Sequence, residues 1–305
     1  MTYQRSSIPD LTGLRAVVTG ANGGLGLETA KALADRGAHV VMAVRNRTKA
    51  DAAVAAIRAE TPGAELTLVD LDLGSLASVE AASREILAGG DSLDLLVNNA
   101  GVMATPEGRT VDGFETQLGT NHLGHWVLTA RLMPALVAAP AARVVNVTST
   151  AHLIGRPIDP DNPHLEDRYE PWRAYGQSKL ANYHFTLGLE RELRGAGVRP
   201  ISLMAHPGLT NSDLQTTTAH AGAAAGSGPV LALTKLVGMS TAKGALPQLR
   251  AATDPSARGG QFYGPLFVNN GPAVRKPVLG RGIDKAIEAL WTVSERETGV
   301  PMVIG

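Results

Sequence analysis

The chain contains no cysteine among its 305 residues. Disulfide bonds, thiolate nucleophiles and zinc sites with cysteine ligands are therefore excluded, and a reducing compartment such as the cytoplasm suits this composition. Neither sign of charge is in excess, because 28 lysine and arginine residues balance 28 aspartate and glutamate residues. Nucleic acid and anionic membrane surfaces are therefore not expected partners, and we expect a small-molecule substrate.

Long apolar runs and targeting signals are also lacking. The N-terminal stretch MTYQRSSIPDLTG does not have the charged start and apolar centre of a signal peptide. No stretch of about 18 uncharged apolar residues appears, so no membrane span is predicted. Arginine outnumbers lysine, a bias typical of GC-rich bacterial genomes. We therefore predict a cytoplasmic, bacterial protein.

Short runs of β-branched residues alternate with helix-length segments along most of the chain. This alternation predicts right-handed βαβ crossovers and an α/β fold, a doubly wound parallel sheet of about seven strands with helices on both faces. No linker or repeat divides residues 1–305, so a single domain is expected. The predicted strands are Ala16–Thr19, Val40–Ala43, Leu66–Val69, Leu93–Val97, Arg143–Val147, Arg199–Leu203 and one near Gln261–Tyr263.

Two stretches interrupt this alternation. Residues 151–172 are polar and rich in proline, and residues 209–240 begin with many small and hydroxyl residues without clear periodicity. Both are interpreted as surface loops or as mobile walls of a substrate pocket.

The stretch VVTGANGGLG, residues 17–26, places glycines between a predicted strand and a predicted helix. At such a junction in a parallel sheet, an anion can bind to the free N–H groups that begin the helix. Gly20, Gly24 and Gly26 would let the backbone approach a pyrophosphate and let the helix pack close to the strand. The turn therefore predicts a dinucleotide site, with a glycine-rich connection that binds no ligand as the alternative.

The end of the second predicted strand indicates which dinucleotide binds. An acidic residue there would bind a ribose 2′-hydroxyl, but the sequence reads VVMAVRNR. The guanidinium of Arg45 would instead bind a 2′-phosphate, with Arg47 as a second contact. NADP(H) is therefore predicted over NAD(H), unless both arginines are merely solvated at the strand end.

The segment YGQSK, residues 175–179, places a tyrosine and a lysine on one face of a predicted helix. A phenol with an ordinary pKa of about 10 is protonated at pH 7. A neighbouring ammonium and an oxidised nicotinamide ring would lower this pKa towards neutrality, so that the phenol could donate or accept a proton. The spacing alone also fits an ordinary amphipathic helix.

Four motifs, taken in order, resemble those of the short-chain dehydrogenase/reductase superfamily. They are Thr19-Gly20-x-x-x-Gly24-x-Gly26, NNAG at 98–101, Tyr175-x-x-x-Lys179 and HPG at 206–208. The resemblance implies a seven-stranded, single-domain Rossmann fold. The stretches NHLGHW (121–126) and RVVNVTSTAH (143–152), with the long spacing from Ser149 to Tyr175, resemble the retinol-dehydrogenase-like branch, whose members typically prefer NADP(H).

The resemblance implies a role for each of four side chains. Tyr175 would be the general acid/base, and Lys179 would bind the nicotinamide ribose and lower the pKa of Tyr175. Ser149 would hold and polarise the substrate carbonyl oxygen, with Thr148 as its local alternative. Asn121 would anchor a water molecule that links Lys179 to solvent, or would otherwise be a cap or turn residue.

The same resemblance implies the cofactor contacts. Asp72 and Leu73 would contact the adenine. Asn99 and Ala100 would line the ribose site, and the backbone after Pro207 would meet the carboxamide. The full predicted cofactor-binding set is Gly20, Asn22, Gly24, Leu25, Gly26, Arg45, Asp72, Leu73, Asn99, Ala100, Gly101, Tyr175, Lys179, Pro207, Gly208 and Ser212, the last standing where the family often has threonine.

The predicted function is an NADP(H)-dependent oxidoreductase that transfers a hydride between nicotinamide and a carbonyl or alcohol substrate. The alternatives are a catalytically inactive NADP-binding regulatory protein and an olefin reductase of the protochlorophyllide type, which generally carries functional cysteines. No metal site is predicted, although His122 and His125 lie three residues apart. Many relatives pair through helices that flank the active site, so a homo-oligomer is a candidate assembly.

Overall fold

The computed structural model describes residues 2–166, 169–210, 238–278 and 282–304. Within these ranges, strands form one sheet in the order β3-β2-β1-β4-β5-β6-β7-β8. The strands are β1 (Arg15–Thr19), β2 (His39–Val44), β3 (Leu66–Asp70), β4 (Leu95–Asn98), β5 (Arg143–Val147), β6 (Ile201–Ala205), β7 (Phe262–Phe267) and β8 (Asn270–Lys276).

Helices connect the strands and cover both faces of the sheet. In the described ranges they are α1 (Gly24–Ala34), α2 (Arg47–Glu60), α3 (Leu76–Ala88), α4 (Thr116–Leu118), α5 (Gly124–Ala138), α6 (Pro171–Gly195), α7 (Thr241–Gly244), α8 (Leu246–Thr253) and α9 (Ile283–Thr298). A π-helical turn, Gly119–Leu123, joins α4 to α5, and short 3₁₀ turns lie at Arg5–Ser7 and Thr150–Leu153. The predicted doubly wound α/β fold is confirmed.

The central strands are buried on both faces, which explains why they read as continuous apolar runs. Val17 of β1 packs into one core together with its register partners Val41 and Leu96. Its chain neighbours Ala16 and Val18 point to the opposite face and pack into a second core. Side chains alternate along a strand, so burying both faces requires apolar residues at every position.

Each core is closed by its own layer of helices. The first core contains residues of α3, α5, α6 and α9, among them Val79, Leu128, Phe185 and Leu290. The second contains residues of α1, α2 and α8, such as Leu33 and Leu249. The sheet therefore lies between two helical layers, and its carboxyl edge is left to form a site.

The sheet has eight strands, not about seven. β8 pairs with β7 in antiparallel orientation, and the sequence NGPAVRK gave no strand signal because it contains Gly271 and Pro272. Proline is tolerated at the edge of a sheet, where its missing N–H removes no ladder bond. The fourth and sixth strands each begin two residues later than predicted, at Leu95 and Ile201.

The polar stretch 151–172 is fastened to the body of the protein at several points. The Tyr169 hydroxyl donates to the Thr105 carbonyl at 2.8 Å, and the Gln177 amide donates to the Pro163 carbonyl at 2.8 Å. Of the other stretch, 209–240, residues 211–237 lie outside the described residues. Thr210 and Met239, on either side of them, form an isolated parallel bridge.

The C-terminal helix α9 packs against α6. The Trp291 ring lies edge-on to the Trp126 ring, with centroids 5.0 Å apart, and 5.9 Å from the Phe185 ring. Gly188 of α6 provides the space for Trp291, because a Cβ there would meet the indole. Within the described ranges, no helix is both long and apolar enough to cross a membrane. The cytoplasmic location stays a prediction.

We expect Gly188→Ala to destabilise the fold by about 1–3 kcal/mol. The added methyl would lie 2.8 Å from Ile287 Cγ2 and would overlap the Trp291 ring. Gly195→Ala is the matched control on the same helix, because a Cβ there meets nothing within 4 Å. The free energy of unfolding of Gly195→Ala should rise by up to about 1 kcal/mol, because alanine has a higher helix propensity than glycine. Urea unfolding measures both, and equal stabilities of the two variants would contradict the packing described.

Candidate active site

The glycine turn has the backbone conformation that its sequence predicts. Gly20 follows β1 with a φ of +68°, and Gly24 opens α1 with a φ of +52°. A Cβ on Gly26 would overlap the Gly20 carbonyl and lie 2.7 Å from Asn99 Nδ2. The helix therefore approaches the strands closely only because this residue has no side chain. No side chain caps the first N–H groups of α1, which suits them to an anion.

The turn opens into a cavity of about 890 Å³ at the carboxyl ends of the central strands. β1 and β4 are neighbours there, at the point where the strand order reverses, and open α/β sheets bind ligands at such points. The predicted cofactor residues that line the cavity are Gly20, Asn22, Gly24, Leu25, Gly26, Arg45, Asp72, Leu73, Asn99, Ala100, Gly101, Tyr175, Lys179, Pro207 and Gly208. The remaining one, Ser212, lies outside the described residues.

Two cations line the end of the cavity beyond β2. Arg45 is exposed and lies 4.0 Å from the Asp72 carboxylate, while Lys49 of α2 lines the same wall. Arg47, predicted as the second phosphate contact, instead pairs with Asp70 at 3.2 Å and does not line the cavity. Asn46 explains the difference, because its side chain caps α2 by accepting from the Lys49 N–H. The cap fixes the start of the helix, which carries Lys49 into the wall.

The end of β4 is joined to the end of β1 through Thr19. Its hydroxyl oxygen accepts from the N–H groups of Asn99 and Ala100, both at 2.9 Å. Gly101 follows, and a Cβ there would lie 2.8 Å from Asn121 Oδ1 and 3.4 Å from Lys179 Nζ. Gly101 alone therefore separates the cofactor wall from the predicted catalytic side chains of Asn121 and Lys179.

Asn121 lies in the π-helical turn before α5, and its side chain makes three hydrogen bonds. Oδ1 accepts from the Val102 N–H at 2.7 Å, while Nδ2 donates to the Val102 carbonyl and the Ser178 hydroxyl, both at 2.9 Å. The side chain therefore holds the Val102 loop to α6. A water molecule bound at Asn121 would use the backbone carbonyl, which also accepts from His125 Nδ1 at 3.0 Å.

The two candidate hydroxyls after β5 have different surroundings. The Thr148 hydroxyl is buried and donates to the Lys179 carbonyl at 2.7 Å, which fixes the strand end to α6. Ser149 lines the cavity and caps the following 3₁₀ turn by accepting from the Ala151 N–H at 3.2 Å. Its hydroxyl also hydrogen-bonds the Tyr175 phenol. Both residues line the cavity, and the role of Ser149 in holding a substrate stays a prediction.

Tyr175 and Lys179 lie on adjacent turns of α6, both buried and both lining the cavity. The Lys179 ammonium lies 5.8 Å from the centre of the Tyr175 ring and donates to the Val147 carbonyl at 3.2 Å. Glu170 begins the helix by accepting from the N–H groups of Trp172 and Arg173. The cap and Pro171 fix the first turn, so the predicted pair faces the crevice as its spacing requires.

Known proteins resemble this chain along most of its length. The profile of the short chain dehydrogenase family matches residues 15–222. The chain belongs to this family. Human retinol dehydrogenase 12 is 45% identical over 204 residues, which cover 67% of this chain and 64% of that protein. The chain thus matches just under two thirds of that protein's length. Polyprenol dehydrogenase of Mus musculus is 39% identical over 302 residues, 96% of this chain and 86% of that protein.

A solved structure is also similar to this chain in fold and in sequence. The crystal structure of an uncharacterized protein from Mycobacterium paratuberculosis superimposes with a TM-score of 0.79 at 38% identity, and covers 99% of this chain and 100% of that one. Membership of the short chain dehydrogenase family and the resemblance to its retinol-dehydrogenase-like branch are both confirmed. The roles of individual site residues stay predictions.

Burial shifts the pKa values of both α6 side chains. Burial raises the pKa of Tyr175 to about 12, although the hydrogen bond from Ser149 opposes the shift. Burial also lowers the pKa of Lys179 to about 8. The predicted lowering of the Tyr175 pKa, which needs an oxidised nicotinamide ring as well as the Lys179 ammonium, stays a prediction. Desolvation is the largest cause of the raised pKa, so the chain by itself holds Tyr175 as a protonated phenol at pH 7.

Several other aromatic and histidine side chains lie on or near the cavity wall or in the core. Trp172 lines the cavity with its ring 5.9 Å from that of Tyr175. His152 stacks on Tyr183 at 5.0 Å behind the cavity wall. His122 hydrogen-bonds Ser294 in the core. Across the described residues, no group of three or more histidine and carboxylate side chains is placed to hold a metal ion.

Several residues of the cavity wall were not predicted, among them Lys49 and Asn269. Lys49 lines the cavity beside Arg45, and the Asn46 cap signal would have found it. Asn269 lines the opposite wall from the β7–β8 connection, where its carbonyl accepts from the Leu209 N–H at 2.9 Å. No signal indicated it, because the strand β8 was not predicted. Thr19 was seen as part of a motif but not as the link between β1 and β4.

Replacing Lys179 by methionine should stabilise this protein at pH 7 by roughly 1–3 kcal/mol. The folded pKa of about 8 lies below the ordinary value of 10.5, so folding is penalised while this lysine is protonated. The penalty is complete below about pH 8 and vanishes as the pH approaches 10.5. Denaturant unfolding at pH 7, 8, 9 and 10 should therefore show a gain that shrinks with rising pH.

The exposed Lys243 provides the control for this experiment. Lys243→Met removes the same charge and should change the free energy of unfolding by less than about 0.5 kcal/mol. A Lys179→Met protein that is no more stable than the wild type, or whose gain does not depend on pH, would contradict the assignment of a buried, destabilised ammonium.

Proposed function

We propose that this protein is an NADP(H)-dependent oxidoreductase that interconverts an alcohol and a carbonyl compound, with Tyr175 as the general acid/base. The observation that carries the proposal is the convergence of Ser149, Tyr175 and Lys179 on the wall of the cavity that also contains the glycine turn. Intact catalytic side chains beside an open cavity favour an enzyme over an inactive binding protein. We also propose that residues 1–305 act as one domain.

The residues present fit a nicotinamide dinucleotide. The absence of side chains at Gly20 and Gly26 leaves a cradle beside uncapped N–H groups, which suits a pyrophosphate. Arg45 and Lys49 together provide two cations at the adenosine end for a 2′-phosphate. Lys179 would bind the nicotinamide ribose. When bound, the nucleotide supplies or takes up the hydride.

The chain itself supplies the proton and the position of the substrate. In the reducing direction, the protonated Tyr175 phenol donates its proton to the substrate oxygen as the carbonyl carbon gains a hydride. The Lys179 ammonium stabilises the phenolate that remains, and the Ser149 hydroxyl holds the same oxygen. The burial that raises the pKa of Tyr175 keeps this acid loaded at neutral pH. Oxidation of an alcohol reverses these steps.

The substrate end of the cavity favours an uncharged, apolar compound. Apart from Lys179, the charged side chains among the described lining residues are Arg45, Lys49 and Asp72, all at the adenosine end. The wall beside Tyr175 consists mainly of apolar residues, including Val102, Met103, Ala151, Ile154 and Trp172. Such a wall binds hydrocarbon and leaves a carboxylate or phosphate without a partner. The relatives named for retinol and polyprenol are consistent with this proposal.

Tyr175→Phe should lower kcat by at least about 10²-fold in either direction, because the proton donor is lost. The Kd for NADPH should change little, since the ring remains. The measurement is NADPH oxidation with a panel of apolar aldehydes and ketones, and NADP⁺ reduction with the matching alcohols, with NADPH binding followed by fluorescence titration.

Tyr263→Phe is the control for lost hydroxyl groups in general. Tyr263 is equally buried, but its hydroxyl bonds Gln261 and it does not line the cavity. Its activity should stay near that of the wild type. Normal turnover in Tyr175→Phe would refute the catalytic role, and a lack of turnover by the wild type across the panel would favour a binding protein.

Arg45→Asp should reduce the ratio of kcat/KM for NADPH to that for NADH by roughly 10²-fold, because a carboxylate repels a 2′-phosphate. Lys49→Glu should act in the same direction. Arg47→Asp makes the same charge change two residues away but outside the cavity wall, and should leave the preference within about threefold of the wild type. If all three variants shifted the ratio equally, general surface charge would explain it and the phosphate site would be withdrawn.

A further inference from the structure

His125 is a fully buried histidine that the proposed reaction does not use. It lies in the first turn of α5, with 1% of its surface exposed. One side of its ring faces β1, where Nε2 is 2.9 Å from the Thr19 hydroxyl. The other side faces the π-helical turn, where Nδ1 is 3.0 Å from the Asn121 carbonyl. The imidazole therefore bridges the strand of the glycine turn and the predicted proton path.

The hydrogen-bond partners fix the direction of both contacts. The Thr19 hydroxyl oxygen already accepts two N–H groups, from Asn99 and Ala100, so its lone pairs are used. Its own hydrogen must then be donated, and His125 Nε2 at 2.9 Å is a better acceptor position than the Val97 carbonyl at 3.4 Å. Nε2 of His125 is therefore an acceptor and carries no hydrogen.

The other ring nitrogen must carry the hydrogen. A carbonyl oxygen can only accept, so Nδ1 donates to Asn121. The two bonds together require a neutral imidazole in its Nδ1–H form, because an imidazolium would direct a second N–H at a filled Thr19 oxygen. The surroundings act in the same direction: burial and the nearby Lys179 ammonium lower the pKa of His125 to about 4.

We propose that His125 is a positioning residue that, held as the neutral Nδ1–H form, couples the nucleotide-binding ends of β1 and β4 to Asn121 and so to Lys179. The coupling runs from the Asn99 and Ala100 N–H groups through the Thr19 hydroxyl and the His125 ring to the Asn121 carbonyl. Its significance for turnover rests on the proposed function, but the ring's tautomer and its contacts do not.

We expect an effect on function because both ends of this hydrogen-bonded chain lie at the site. Asn99 and Ala100 line the cavity where the ribose would bind. Asn121 Oδ1 is adjacent to Lys179 Nζ across Gly101, which has no room for a side chain. A displacement of the Asn99–Ala100 segment or of Asn121 would change the distance between the nucleotide and the proton-transfer groups. Small misplacements of reacting groups lower the reaction rate by large factors.

The tautomer is tested on the wild-type chain without any ligand. Histidine ¹⁵N labelling resolves the ring nitrogens by NMR, and His125→Asn assigns the signals of this residue among the 8 histidines. The expected result is a protonated Nδ1 and an unprotonated Nε2 that persist from pH 8 to pH 5.5. An Nε2–H tautomer, or an imidazolium at pH 6, would overturn the proposal even if the protein is an active enzyme.

The coupling is tested by variants at both ends. His125→Phe and Thr19→Val should each weaken NADPH binding and lower kcat by roughly tenfold, and the double variant should be no worse than the poorer single one. Thr19→Ser keeps the hydroxyl and should therefore retain most of the NADPH affinity and most of kcat. His122→Phe is the control, because it makes the same change on an equally buried histidine whose bond goes to Ser294, and binding should stay within about threefold.

The outcomes separate the two proposals. If the effects of His125→Phe and Thr19→Val simply multiply, or if His122→Phe is as damaging as His125→Phe, His125 has only a packing role and the coupling is refuted. If the wild type binds no NADPH, the proposed function fails, while the NMR result still decides whether His125 holds the stated form. If the valine or phenylalanine variants do not fold, Thr19→Ser and His125→Asn replace them. Their Kd for NADPH is then compared with that of the wild type by the same titration.

Discussion

The site depends on how closely the backbone of the glycine turn approaches the end of β4. Gly26 has no Cβ at the place where one would overlap the Gly20 carbonyl and the Asn99 amide, and the Thr19 hydroxyl binds the next two N–H groups of the β4 end. Because the core packs tightly on both faces of β1 and β4, neither strand can shift to make room for a larger residue. This close approach sets the position of the glycine turn, which lines the same cavity as Arg45 of the β2 end and Tyr175 of α6.

Burial determines the chemistry of the α6 wall as much as its geometry. The same desolvation that holds Tyr175 as a phenol makes the Lys179 ammonium weakly stable, so both groups are displaced from their ordinary proton affinities in the direction of neutral forms. In the free chain, the tyrosine is an acid and not a base. Under the proposed function, the positive charge of an oxidised nicotinamide would favour the phenolate that the oxidising direction needs.

Much of the fold could be predicted from the sequence because its signals are local. The buried strands read as continuous β-branched runs, and glycine at 20, 24 and 26 has a direct steric reason. The edge hairpin could not be predicted, because β8 contains Gly271 and Pro272 and gains its stability from pairing with β7. In the site, helical spacing predicted that Tyr175 and Lys179 share one face of a helix, and the family resemblance implied their roles. The raised pKa of Tyr175 could not be predicted, since desolvation depends on which distant residues cover it. Lys49 replaced Arg47 for a similar reason: a side-chain cap and a competing carboxylate, Asp70, decide which cation faces the cavity.

The packing of α9 has a consequence for the exposure of α6. One side of α6 is occupied by α9, with Trp291 seated over Gly188. A partner molecule could reach that side of α6 only by first dislodging a helix of 16 residues from its own core. The C-terminal helix thus shields, within one chain, a helix surface beside the active site, and the homo-oligomer stays a prediction.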